Sequence, residues 1–160
     1  MAFTDYKTEQ LHKALLKETR RCAVTLGMKK TSVDQLAKAV GIAKGSFYKF
    51  YESKEMAFFA VLESIHSELY GVADQALHRN GGLPTSERAA KAVLAVCRRL
   101  SDTGDMAFIE NDAKLLLQRL PENVKMCIIT TTRRTFVSFW KNMTLFLNGG
   151  LHLPPRQYAD

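Results

Sequence analysis

Residues 41–55 read GIAKGSFYKFYESKE and gather the side chains with the clearest chemistry in the chain. Four aromatics (Phe47, Tyr48, Phe50, Tyr51) alternate with three lysines (Lys44, Lys49, Lys54), and Gly45 interrupts an otherwise helical pattern. Lysine ammonium groups pair with phosphates or guanine edges, and a tyrosine hydroxyl bonds a phosphate oxygen. Glycine inside a helix costs about 1 kcal/mol relative to alanine. Its presence is explained if another surface must approach the backbone there. Just upstream, Thr31 and Ser32 carry hydroxyls that suit both helix capping and a phosphate contact.

Other chemistries are not assembled. His12, His66, His78 and His152 are scattered, with neither metal-ligand spacing nor a nucleophile–base pair. The expectation is a non-enzyme with no metal and no cofactor. Cys22, Cys97 and Cys127 are odd in number and far apart, which fits neither a disulfide framework nor a zinc site. They read as small apolar core residues in a reducing compartment. The opening MAFTDYKTEQLHK lacks an apolar signal core, and no apolar run approaches membrane-span length. A soluble, cytoplasmic protein with no membrane partner is expected.

The elements that must position these residues are helical. Glycine and proline break the chain at Gly27, Gly41, the 80–84 run, Gly104, Pro121 and the 148–150 run. Between the breaks the apolar spacing is three and four residues, as in Phe58, Leu62, Ile65, Leu69, Val72 and Ala76, or Ala89, Val93, Val96 and Leu100. The fold class is therefore all-α, with about seven helices. Pro121 suits the first turn of a helix, which places the strand-like 128–132 run inside it. Ser32 followed by Gln35 is a capping box, Gly41 suits a helix end, and about three residues then separate that helix from the next. Two short helices around a tight glycine turn make a helix-turn-helix. At about 100° per residue, Phe47 and Phe50 point one way, while Lys44, Gly45, Tyr48 and Lys49 point the other. The phenylalanines are core; the second set is an outer face. Ser53 caps the following helix, and Lys54 at its first position makes sense if that terminus receives a phosphate.

Charge follows the same division. Residues 1–54 hold eleven basic and five acidic residues, a net +6 of the chain's +7. A basic head on a near-neutral body suits a polyanion partner.

The segment TSVDQLAKAVGIAKGSFYKFYESKEMAFFAVLE closely resembles the DNA-binding segment of the tetracycline-repressor (TetR) family of bacterial transcription regulators. The likeness covers about residues 9–65. It rests on Thr31-Ser32-Val33, the Ala37-to-Gly41 spacing, Lys44-Gly45-Ser46, Tyr48, Phe50 and Ser53-Lys54-Glu55. The resemblance implies a three-helix head over residues 1–52, with residues 43–49 as the recognition helix, and a helical ligand-binding and dimerisation body over residues 53–160. The DNA-contacting set is Thr31, Ser32, Ala43, Lys44, Gly45, Ser46, Tyr48, Lys49 and Lys54. Ala43 stands where the family often has serine or threonine. The implied function is a dimeric repressor on a palindromic double-stranded operator, released by a small-molecule effector. Its pocket would draw on Phe59, His66, Met106, Phe108, Leu116, Phe136 and Trp140. The sequence stops at LHLPPRQYAD, where the family continues into two dimerisation helices, so a truncated body or another dimer surface is expected. Two other readings stay open: a helical interaction module with a nonspecific basic face, and a constitutive regulator without an effector.

Overall fold

The computed structural model describes residues 5–125. Every element among them is helical: α1 (Asp5–Thr25), α2 (Val33–Ala39), α3 (Lys44–Phe47), α4 (Lys54–Arg79), α5 (Thr85–Thr103) and α6 (Asp105–Phe108). A π-helical turn, Ile109–Ala113, carries α6 directly into α7 (Lys114–Arg119). After Pro121 the chain turns helical again, the Val124 N–H reaching the Pro121 carbonyl at 3.0 Å.

Two apolar clusters organise these helices. Leu15, Cys22, Leu36, Ala37, Phe47, Tyr51 and Ala57 form the first, among α1, α2, α3 and the start of α4. Ala23, Met28, Phe58, Phe59, Val61, Ile65, Leu100, Phe108, Leu116 and Leu120 form the second. Helices α1 and α4 serve both, because neighbouring residues (Cys22 and Ala23, Ala57 and Phe58) point into different clusters. Truncating a fully buried ring such as Phe47 or Phe58 to alanine costs about 3–5 kcal/mol.

Three glycines among the described residues are left-handed, Gly27, Gly41 and Gly104, and the last two turn the chain for different reasons. Gly41, at φ +74°, ends α2, and its open surroundings leave the backbone angle as the constraint. Gly104, at φ +71°, turns α5 into α6, and a Cβ there would stand 2.9 Å from Val24 Cγ1. Both its angle and the closeness of α1 exclude a side chain.

One apolar stripe is rotated from expectation. On α5 the buried row is Arg88, Ala92 and Leu100, whereas Ala89 is exposed and Val93 is 63% exposed. Val96 and Leu100 of the expected stripe do pack on the second core, while Ala89 and Val93 turn outward and Arg88 and Ala92 take their place. The Arg88 guanidinium reaches the Leu77 carbonyl near the end of α4, at 3.5 Å, and takes its row inward.

Candidate nucleic-acid interface

The helix-turn-helix is built from local signals. Ser32 Oγ accepts from the Gln35 N–H at 3.2 Å while Gln35 Oε1 accepts from the Ser32 N–H at 2.7 Å, closing the capping box at the start of α2. The Ile42 N–H then returns to the Ala37 carbonyl at 3.0 Å around Gly41. Ala43 takes the extended N-cap conformation of α3 and offers no side-chain acceptor. Helix α3 is shorter than the 43–49 recognition helix that the resemblance implies. It closes at Phe47, and Tyr48 to Phe50 continue as turns, with the Phe50 N–H on the Phe47 carbonyl at 2.9 Å.

Its two faces differ sharply. Phe47 is fully buried. Phe50 is half-buried and stacks on His12 at a centroid distance of 6.2 Å. Tyr51 is buried against Phe47 and His12. On the other side Ala43, Lys44, Gly45 and Lys49 are exposed, and Tyr48 is 50% exposed with its ring edge-on to Phe47. A Cβ on Gly45 would meet nothing within 4 Å, so its bare backbone faces open space. Ser46 lies half-buried at the margin.

One acid stands on the same side. Lys44 Nζ donates to Asp34 Oδ2 at 2.9 Å, joining α3 to α2. The hydrogen bond from the ammonium to Asp34, with their mutual attraction, raises the Lys44 pKa. Asp34 partly neutralises the face in the free protein.

Two residues of the expected set are engaged elsewhere. Thr31 is buried, and its hydroxyl donates to the Gly27 carbonyl at 2.9 Å. It closes the α1–α2 turn and does not face outward. Lys54 was expected as an outward phosphate anchor. Its half-buried ammonium instead donates to the Met28 and Thr31 carbonyls, each at 2.9 Å. A cation at the start of α4 is tolerated because it satisfies the carbonyls of a neighbouring turn. Ser32 is exposed with its hydroxyl engaged in the cap, and Ser53 caps α4 by accepting from the Met56 N–H at 3.1 Å.

The expected pocket residues do not converge on one cavity. Phe59, Phe108 and Leu116 are packed into the second core. Met106 is 40% exposed on α6. His66 is exposed, edge-on to Tyr70 at 4.8 Å, and borders a shallow hollow of about 170 Å³ with Leu69, Tyr70, Ala73 and Val96. Phe136 and Trp140 lie outside the described residues. Aromatic residues at helical spacing fill ordinary cores, so their type and period could not mark a cavity.

Helices α1, α4, α5 and α6 meet at a charged joint with no local sequence signal. Arg20 of α1 donates from Nε to Asp105 Oδ1 at 3.0 Å and from Nη2 to Glu68 Oε2 at 3.2 Å. Arg99 also donates to Glu68, and the Thr103 hydroxyl to Asp105 Oδ2 at 2.6 Å. Hydrogen bonds from Arg20, with its charge, hold the Glu68 carboxyl below its ordinary value of 4.5. Burial opposes ionisation of Asp105, yet the bonds from Arg20 and Thr103 keep that carboxyl below its ordinary 3.8.

Residues 15–61, which span the second half of α1, all of α2 and α3, and the first eight residues of α4, match the sequence profile described as bacterial regulatory proteins, tetR family. This segment is of the TetR type. The TetR match contains the whole exposed face of α3 and ends before the charged joint's partners on α4, α5 and α6. Relatives include YhgD of Bacillus subtilis, an uncharacterized HTH-type transcriptional regulator, 29% identical over 84 residues, 52% of this chain and 43% of the relative. Another is the nucleoid occlusion factor SlmA of Actinobacillus pleuropneumoniae, 32% identical over 68 residues, 42% of this chain and 32% of the relative. The chain thus spans less than half the length of these curated relatives. The crystal structure of the probable transcriptional regulatory protein RHA5900 shares the fold, with a TM-score of 0.55, 20% identity, and 82% of this chain and 69% of that one covered. No described helix is long and apolar enough to cross a membrane.

Proposed function

We propose that the protein is a DNA-binding transcriptional regulator that inserts the outer face of α3 (Ala43, Lys44, Gly45, Tyr48 and Lys49) into a major groove. Ser46 borders that face, and Ser32 flanks it at the start of α2. One observation carries the reading. A short helix and the turn that follows it are anchored by fully buried Phe47 while they present two lysines, a bare glycine and a half-exposed tyrosine on their free side. The net +6 over residues 1–54 supplies the long-range attraction. That YhgD carries the HTH-type description supports the same use of this motif.

In this reading residues 1–52 form the DNA-binding head and residues 53–160 the body. A homodimer would present two α3 helices to half-sites about 34 Å apart. An effector that favours a different spacing of the two heads would release the operator, making the protein a repressor. The hollow beside His66 is smaller than the roughly 300–1,000 Å³ of sites that enclose drug-sized ligands. Within the described body that hollow has room for a small apolar group.

The test is competition binding between duplex from the gene's own upstream region and random duplex. A preference of about a thousandfold or more is expected at physiological salt. Tyr48→Ala and Lys49→Ala should weaken binding without lowering the melting temperature, and Lys49→Ala should reduce the salt slope by about one. Equal affinity for both duplexes would point instead to a nonspecific basic module.

A further inference from the structure

Among the described residues two aspartates are buried, Asp105 and Asp112, and both belong to the stretch from α6 through the π-helical turn. Both are turned on α1 and its exit. Asp105 holds Arg20, as described above. Asp112 Oδ2 accepts from the backbone N–H of Met28 at 2.7 Å, a buried bond between residues 84 positions apart. The same oxygen stands 3.0 Å from where a Cβ on Gly27 would lie. Met28 is itself fully buried in the second core.

The turn between α1 and α2 is therefore tied down along its length. The Gly27 carbonyl accepts from Thr31, the Met28 N–H donates to Asp112, and the Met28 and Thr31 carbonyls accept from Lys54. Thr31 directly precedes Ser32, the N-cap of α2. Three of these bonds come from within residues 27–54, the segment that forms the helix-turn-helix and the start of α4. Asp112 alone reaches in from the body. It does so from a π turn, a rare winding that recurs at functional sites and whose relaxation to α-helix would change the bearing of its side chains.

The geometry points to Asp112 as a positioning residue for the DNA-binding face: it sets the start of α2 from the body, so the winding of the 109–113 turn governs the pose of α2 and α3. The inference rests on the DNA-binding reading for its consequence and not for its geometry. Asp112 touches no DNA; it acts through Met28 and the cap of α2.

The test compares Asp112→Ala with Asp112→Asn in the full chain. The asparagine keeps an oxygen that accepts from Met28; the alanine removes it. Amide exchange in the free protein is the first readout. Asp112→Ala should speed exchange at Met28 by about tenfold and spread the change into Leu36 and Ile42, with Ile65 unchanged. Asp112→Asn should restore most of the protection. Affinity for the upstream duplex is the second readout. Asp112→Ala should bind several-fold more weakly with an unaltered salt slope, because no phosphate contact is lost, and Asp112→Asn should bind like wild type. Faster exchange confined to Gly27 and Met28, or wild-type DNA affinity despite a loosened turn, overturns the proposal. Should Asp112→Ala fail to fold, a folded Asp112→Asn that protects Met28 yet binds tenfold more weakly overturns it, and wild-type binding supports it. A wild-type protein that does not discriminate its upstream DNA refutes the DNA-binding reading alone; the exchange pattern still decides whether Asp112 positions α2.

Discussion

Replacing Lys54 with methionine should destabilise the protein, because its ammonium serves the fold. Methionine keeps most of the aliphatic stem and removes the donor. Two bonds of 2.9 Å to the Met28 and Thr31 carbonyls are lost, and both acceptors lie at the entrance to α2. Hydrogen bonds to a charged group contribute about 1.5–3 kcal/mol each. The side chain is only half-buried, so water replaces part of that, and the pair together is worth roughly 2–3 kcal/mol. At roughly 2–4 °C per kcal/mol for a chain of this size, the melting temperature should fall by roughly 4–12 °C. Urea unfolding of wild type and Lys54→Met, followed by circular dichroism, measures the difference. A second measurement separates a structural role from a phosphate contact. An ammonium engaged by two carbonyls releases no counterion from DNA, so the slope of log affinity against log salt should be unchanged in the variant. A stability loss under about 0.5 kcal/mol, the range of ordinary surface substitutions, together with a slope reduced by about one, would refute the reasoning and return Lys54 to the DNA.

Three other outcomes are expected. Ala43→Ser should stabilise the protein by roughly 0.5–1 kcal/mol in urea, since the N-cap of α3 is already extended and lacks only a side-chain acceptor; no gain would show that α3 is set by packing alone. The Tyr51 hydroxyl is buried with no hydrogen-bond partner, and burial pushes its pKa up to about 12, so Tyr51→Phe should raise stability by about 1 kcal/mol; a loss would reveal a partner for that oxygen. Glu68 and Asp105 have folded pKa values below their unfolded ones. Their contribution is therefore full above the ordinary values of 4.5 and 3.8 and is lost as pH falls through the lower folded values. Stability against urea should drop more steeply between about pH 5 and pH 2 in wild type than in Arg20→Gln, and parallel curves would remove Arg20 from the joint.

Much of the helix-turn-helix was legible in the sequence because its determinants are local. The capping box spans four residues, the Gly41 turn is a backbone requirement, and a 3.6-residue period separates Phe47 from Tyr48. The body was legible only as helices. Period locates a stripe but does not say which of two adjacent rows meets a neighbour, so Val93 was placed inward, whereas packing exposes it and buries Arg88 and Ala92. Residue type likewise could not separate Phe108 in a packed core from Phe108 at a cavity wall.

By itself, then, the sequence determined the helical class, the positions of the caps and turns, and the division of α3 into a buried and a presented side. Those outcomes depend on residues within one or two turns of each other. The tertiary structure alone decided what Lys54, Arg20 and Asp112 do. The partners of Lys54 lie 23 and 26 positions away, those of Arg20 on α4 and α6 lie 48 and 85 positions away, and that of Asp112 in the α1–α2 turn lies 84 away. A long cationic side chain reaches a phosphate or a carbonyl equally well, and only the packing of α4 beside the α1–α2 turn puts the carbonyls nearer.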